Sequence, residues 1–136
     1  MTPIVVVERF YSEIWNQGDL GAADQLCHPD MAFRGSLGQV KSGVAEFLEY
    51  VRYIRGGLNP YQCIILETVV QDDRVFAKML FRGLHCGPLE GIKSTGAEVE
   101  WQGAALFKIE RGRIRDLWVC GDVHGLHRQL QKAQDA

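Results

Sequence analysis

Apolar residues recur at helical spacing through the first part of the chain and at strand spacing through most of the rest. Val7, Phe10, Tyr11, Ile14 and Trp15 follow the i, i+3, i+4, i+7, i+8 rule, with Glu8, Arg9, Ser12 and Glu13 opposite them. Thr2-Pro3 places a hydroxyl at N-cap and proline at the first helical position, and Gly18 ends the segment. A shorter helix is expected over Leu20 to Leu26, stopped by Pro29, and then a short strand at 31–35. Ser42 opens a third helix carrying Val44, Phe47, Leu48, Val51 and Ile54, which Gly56-Gly57 closes.

Beyond Asn59-Pro60 the period changes to two. Tyr61 to Val70 and Arg74 to His85 form a hairpin around Gln71-Asp72-Asp73. Val75, Ala77, Met79, Phe81 and Gly83 share the parity that ends at His85, with Lys78 and Arg82 on the other face. In the strand 97–110, Val99, Trp101, Gly103, Ala105, Phe107 and Ile109 oppose Glu98, Glu100, Gln102, Lys108 and Glu110. The turn Glu110-Arg111-Gly112-Arg113 leads into a last strand, 114–122, followed by a terminal helix. Strict alternation there puts Ile114, Trp118, Cys120 and Asp122 on one face. Asp116 has the same parity, so a bulge or an edge position is expected at it. The predicted fold is α+β: three helices, a long meander curled around them with an apolar pocket between, and a C-terminal helix.

A chain of 136 residues is expected to form one domain, 1–136, with a sizeable core. The net charge of −2 and a pI near 6.1 disfavour nucleic-acid and membrane-surface partners. The N-terminus has no basic region, and no apolar run reaches membrane-spanning length. Four scattered cysteines without a CxxC pair suit free thiols, and a cytoplasmic location is expected.

Two readings of Asp122 stand side by side. It directly precedes a helix, where aspartate is a good N-cap. On the inner face of a strand end it would instead sit at the rim of an apolar pocket, an environment suited to proton transfer. His85 is equally open: a wall histidine hydrogen-bonded to the backbone, or a partner in that chemistry. Tyr11, Trp15, Phe33, Trp101, Phe107 and Trp118 can line a cavity for a flat apolar ligand, with Phe81 beside His85, or can simply be core. His124 and His127 near Asp122 could form a metal site only with further convergent ligands, and no metal or other cofactor is expected. The glycine-rich run 87–96 joins two strands, so it reads as a flexible connection near the pocket mouth and not as a phosphate cradle.

Several stretches resemble the SnoaL-like polyketide cyclases of the nuclear-transport-factor-two-like cone fold. They are Phe10-Tyr11 with Trp15-Asn16-Gln17-Gly18-Asp19 and His28-Pro29-Asp30, then His85-x-Gly87-x3-Gly91-x3-Thr95-Gly96. The third is Gly112-Arg113-Ile114 with Trp118-x3-Asp122 and Gln129-Leu130. Ser94 stands where the family usually has proline, and Gln131 where it has glycine. The resemblance implies a curved sheet wrapped around N-terminal helices. It also implies cofactor-free aldol cyclisation of a polyketide ester, or a related isomerase or lyase step. Asp122 takes the acid/base position and His85 is the nearest match to an assisting histidine. The implied ligand is a small apolar or polycyclic carbonyl compound. Pairing through the open sheet face, where Phe76, Leu80 and Leu84 lie, gives an expected homodimer. The alternative is a non-catalytic module that binds a hydrophobic ligand or a protein partner in the same cone.

Overall fold

The computed structural model describes residues 1–136. Helix α1, Pro3–Arg9, runs into a π-helical segment, Phe10–Asn16, in which hydrogen bonds reach five residues back. The Gln17 amide, for example, donates to the Ser12 carbonyl at 3.1 Å. Phe10, Tyr11, Ile14 and Trp15 all face inward along this segment. A 3₁₀ turn, Leu20–Ala22, and the short α2, Ala23–Leu26, lead to strand β1, Cys27–Arg34, which begins earlier than its apolar pattern suggested. Strand β2, Val40–Ser42, is brief, and α3 occupies Gly43–Gly57. The Ser42 amide donates to the Glu46 carboxylate at 3.0 Å, fixing the start of α3. Strands β3 (Leu58–Gln71), β4 (Arg74–His85), β5 (Glu98–Glu110) and β6 (Arg113–Gly121) follow, and then α4, Val123–Gln134.

One six-stranded, curved but unclosed sheet results, in the order β2-β1-β6-β5-β4-β3. Only the β1–β6 pair is parallel. The concave face packs on α1, its π-helical continuation and α3 in one core of 33 buried apolar residues. No helix is long and apolar enough to cross a membrane.

The bulge expected near Asp116 is present, and its consequence reaches further than the sequence pattern suggested. Lys108 pairs with Asp116 but Ile109 pairs with Ile114, so Arg115 is an extra residue on β6. An inserted residue reverses the alternation beyond it. Leu117 and Val119 therefore point into the core, while Trp118 and Cys120 point out. The expected common face of Ile114, Trp118, Cys120 and Asp122 does not form.

Two backbone stretches without a strand neighbour are completed by side-chain amides. On the edge strand β3, Cys63 donates to Asn16 Oδ1 (2.7 Å) and accepts from Asn16 Nδ2 (3.0 Å). On β5, beyond the last pairing with β6, Glu100 donates to Gln129 Oε1 (2.9 Å) and accepts from Gln129 Nε2 (2.6 Å). Asn16 and Gln129, both within the stretches that carry the family resemblance, thus act as one-residue strands.

The run 87–96 is better anchored than a flexible connection. The Cys86 and Gly87 amides donate to the Gly57 carbonyl at the end of α3 (2.9 and 3.3 Å), and Leu89 is fully buried. A Cβ at Gly87 would overlap the Gly56 carbonyl oxygen, a backbone atom that cannot swing aside. Gly87→Ala is therefore expected to lower stability by roughly 1–3 kcal/mol through overpacking. Thermal unfolding followed by circular dichroism checks this, and an unchanged midpoint would mean that the turn moves away from α3 freely.

Candidate functional site

The aromatic residues meet inside the cone as a chain of ring contacts. Tyr50 of α3 lies 6.0 Å from Trp15, Trp15 lies 5.7 Å from Tyr61 of β3, and Tyr61 stacks on Trp101 of β5 at 6.2 Å and 24°. Phe81 of β4 tilts against Trp101 at 5.4 Å. Below this chain Phe107 packs edge-on to Phe10 and Tyr11, and Phe33 packs edge-on to Phe47 at 4.8 Å. Between the rings remains a cavity of about 20 Å³, lined by Phe10, Tyr11, Trp15, Phe33, Tyr50 and Tyr61 with Ser36, Leu117 and Val119. That is space for about one water molecule, not for a polycyclic ligand.

Three buried polar atoms form no well-aligned hydrogen bond: the Tyr50 hydroxyl, which lines this cavity, and Trp101 Nε1 and His85 Nε2 outside its lining. Tyr50 and Trp101 flank the Gly35-Ser36 turn after β1. A Cβ at Gly35 would strike the Tyr50 hydroxyl, and one at Gly121 would come within 3.0 Å of both the Ser36 carbonyl and Trp101 Nε1. Burial pushes the Tyr50 hydroxyl up to about 12, with the Ser36 side chain and Leu37 backbone acting in the opposite sense. Burial likewise raises Tyr11 and Tyr61 well above the usual phenol range, so all three remain neutral donors. His85 closes β4 on the inner face and is fully buried, as its parity with Phe81 and Met79 required.

Of the residues singled out from sequence, Tyr11, Trp15, Phe33, Phe81, Trp101, Phe107 and His85 are buried in the cone. Trp118 is not among them. It stands 47% exposed on the convex face, with the Arg34 guanidinium 5.7 Å above its ring, because the bulge at Arg115 turned it outward. Asp122 is exposed as well: it is the N-cap of α4, and its Oδ1 accepts the Gly125 amide at 2.9 Å. No carboxylate lies inside: beside the buried tyrosines, tryptophans and cysteines, the buried polar side chains are Ser36 and His85. His124 and His127 do not converge with Asp122. His127 faces Glu90 at 3.2 Å, and no group of three or more His, Cys, Asp or Glu side chains could hold a metal ion.

Tyr50, Tyr61 and Ser36 escaped the sequence reading. Tyr50 sits three residues after Phe47 on α3 and could have been found by extending the helical stripe. Ser36 lies in a turn with no pattern to mark it.

A larger groove of about 440 Å³ lies on the convex side between β3, β4 and β5, lined by Gln62, Arg82, Glu98 and Glu100 among others. It is open, and none of the residues expected to line the apolar pocket borders it.

The family model described as SnoaL-like polyketide cyclase matches residues 5–130. The chain belongs to the SnoaL-like polyketide cyclase family. Solved structures agree with this SnoaL-like fold. TsrD from Streptomyces laurentii is 28% identical over 93% of this chain and 92% of its own, with a TM-score of 0.83. A protein from Jannaschia sp. CCS1, proposed to be a SnoaL-like polyketide cyclase, has a TM-score of 0.86 at 17% identity, covering 94% and 90% of the two chains. An epoxide hydrolase of the LEH-like type from M. tuberculosis has a TM-score of 0.75 at 18% identity, covering 96% and 90%. The last two likenesses concern the fold alone. None of the curated proteins matches the sequence significantly.

Proposed function

We propose that this SnoaL-like chain is a small enzyme that binds a planar, carbonyl-bearing compound in its cone and promotes proton transfer next to the carbonyl, without a cofactor. Aldol cyclisation is the reaction the family membership favours; isomerisation and lyase steps share its first event, removal of a proton alpha to a carbonyl. The supporting observation is the set of three buried polar groups without a well-formed hydrogen bond: the Tyr50 hydroxyl in the cavity lining, Trp101 Nε1 in the chain of rings above it, and His85 Nε2 at the end of β4. A tyrosine hydroxyl and an indole N–H both give hydrogen bonds, and a dry site makes such bonds strong toward an oxygen that gains negative charge. Tyr11, Trp15, Phe33, Phe81 and Phe107 supply the apolar surround, which must open beyond the small cavity seen here for a ligand to enter. Asp122 is the proposed acid/base group. It works from the rim, next to Gly121 and the edge of Trp101, and must leave the Gly125 amide to do so.

The alternative, a non-catalytic binder of a hydrophobic molecule, draws on one observation: the only candidate carboxylate is solvent-exposed and already occupied as a helix cap. Asp122→Asn separates the two readings, because asparagine caps a helix as well as aspartate does. In the enzyme, D122N abolishes the acceleration of alpha-proton exchange in a planar β-keto ester, followed by NMR in deuterated buffer, while ligand binding persists. A variant as active as the wild type would remove Asp122 from the chemistry. Asp122→Ala should in addition lose about 0.5–2 kcal/mol of stability through the cap itself.

Pairing through the convex face belongs to the same proposal. The strand registers align Val69, Phe76, Leu106 and Trp118 in one exposed apolar row across β3, β4, β5 and β6, ending at Arg34 on β1. Sedimentation should give about twice the 15.3 kDa chain mass, and Trp118→Glu should give the single chain. A wild-type monomer at tens of micromolar would reject the dimer.

A further inference from the structure

The stretch Thr95-Gly96 has no part in the reading above, yet it encloses His85. The His85 amide donates to the Ala97 carbonyl at 2.8 Å, and the His85 carbonyl accepts from the Gly96 amide (2.9 Å) and the Ser94 hydroxyl (3.2 Å). These contacts fix the histidine backbone against the segment that follows the glycine-rich run.

The ring is fixed from the same side. The Thr95 amide points at His85 Nδ1 at 3.2 Å, and the Thr95 hydroxyl lies 2.9 Å from the same nitrogen. That hydroxyl accepts the Ala97 amide at 3.3 Å, which leaves its own proton to be given to the ring. An amide N–H can only donate, so Nδ1 must present its lone pair, and the proton of the neutral imidazole resides on Nε2. Placing it on Nδ1 would set two donors against each other in a buried space. Nε2 has no protein partner.

The geometry points to Thr95 as a positioning residue that holds His85 in its Nε2–H tautomer, so that the ring meets a ligand oxygen in the cone as a hydrogen-bond donor and not as a base. The use of that donor rests on the proposed carbonyl-binding function; the tautomer does not, and can be measured without any ligand. The assignment also divides the chemistry. With Nε2 occupied by a proton, His85 polarises an oxygen, and proton removal from carbon falls to another group.

The test is a long-range ¹H–¹⁵N correlation spectrum of the ¹⁵N-labelled full chain at about pH 8, where histidine is ordinarily neutral. His85→Gln assigns the His85 signals among the four histidines. The expected pattern is a pyrrole-type Nε2 and a pyridine-type Nδ1, with a ¹⁵N–¹⁵N coupling across the Thr95 amide hydrogen bond. Thr95→Val retains the amide and loses only the hydroxyl, so it should keep the Nε2–H tautomer while shifting the Nδ1 resonance away from its wild-type position, and Thr95→Ser should restore the wild-type pattern. An Nδ1–H ring, absence of the coupling, or a T95V spectrum identical to wild type would each overturn the inference. The first two need no folded variant. Failure of the proton-exchange assay would instead count against the enzymatic reading and leave the tautomer result standing.

Discussion

Phe47→Ala is expected to remove about 3–5 kcal/mol of folding stability. Phe47 is fully buried where three elements converge. It stacks on Phe10 of the π-helical segment at 5.5 Å and 24°, meets Trp15 at 6.0 Å, and packs edge-on to Phe33 of β1 at 4.8 Å. Truncation forfeits the transfer free energy of the ring and leaves a hole among rigid neighbours that cannot close over it. Since a domain of this size typically has about 5–15 kcal/mol in total, the variant should be near the limit of folding. Urea titration should show a lower midpoint with an unchanged slope. Phe47→Leu, which retains most of the volume, should lose far less. The hole would adjoin the existing aromatic cavity, so the alanine variant should also gain affinity for a small apolar probe such as benzene. A loss below about 1 kcal/mol would mean that the cone collapses readily, which would also undermine it as a preformed ligand site.

Alkali should erode the protein's stability in two pH ranges, beginning with that of its thiols. Burial pushes Cys27 and Cys63 from 9.0 up to about 12, with a Tyr61 contact and the charge of Arg55 acting weakly the other way on Cys63. A group held protonated by the fold ionises first in the unfolded chain. The stability it provides is complete below pH 9 and is lost as pH climbs toward 12. The gap corresponds to something on the order of 4 kcal/mol per thiol if the native packing does not relax. Tyr50, held up to about 12 against an ordinary 10.0, adds its share only above pH 10. Stability measured against pH should therefore decline from about pH 9. In a Cys27→Ala, Cys63→Ala variant the onset should move to about pH 10. A wild-type curve flat to pH 11 would show that solvent reaches these thiols. At pH 8 a thiol reagent should modify Cys86 and Cys120, both exposed, and spare the buried pair.

Much of the fold could be read in the sequence because one face of nearly every element is apolar. The stripe from Val7 to Trp15 and the alternation from Val99 to Ile109 each met a single core, and both appear as expected. Strand β2 did not announce itself: three residues cannot display a period, and Val40 is exposed. The aromatic interior was legible in kind but not in full membership. The inner face of β6 was misread because alternation is a running count, and one inserted residue at Arg115 inverts every later position. The bulge could be suspected from Asp116; carrying its effect forward places Leu117 and Val119 in the lining and sends Trp118 outside. Asp122 fits the helix-cap reading of its sequence context, whereas the alignment of the His85 ring depends on Thr95, ten residues away, through contacts that no periodicity encodes.

Asn16 and Gln129 give the two ends of the chain a shared task. Each carries a single amide from a helical segment to a place where the sheet would otherwise present a bare peptide group to other chains, and open strand edges are templates for strand addition. The helices are thus guards as well as packing elements. A chain losing α4, or carrying Gln129→Ala, would retain most of its core contacts yet expose β5 around Glu100. Its first fault would be social: molecules joining edge to edge while each was still largely folded.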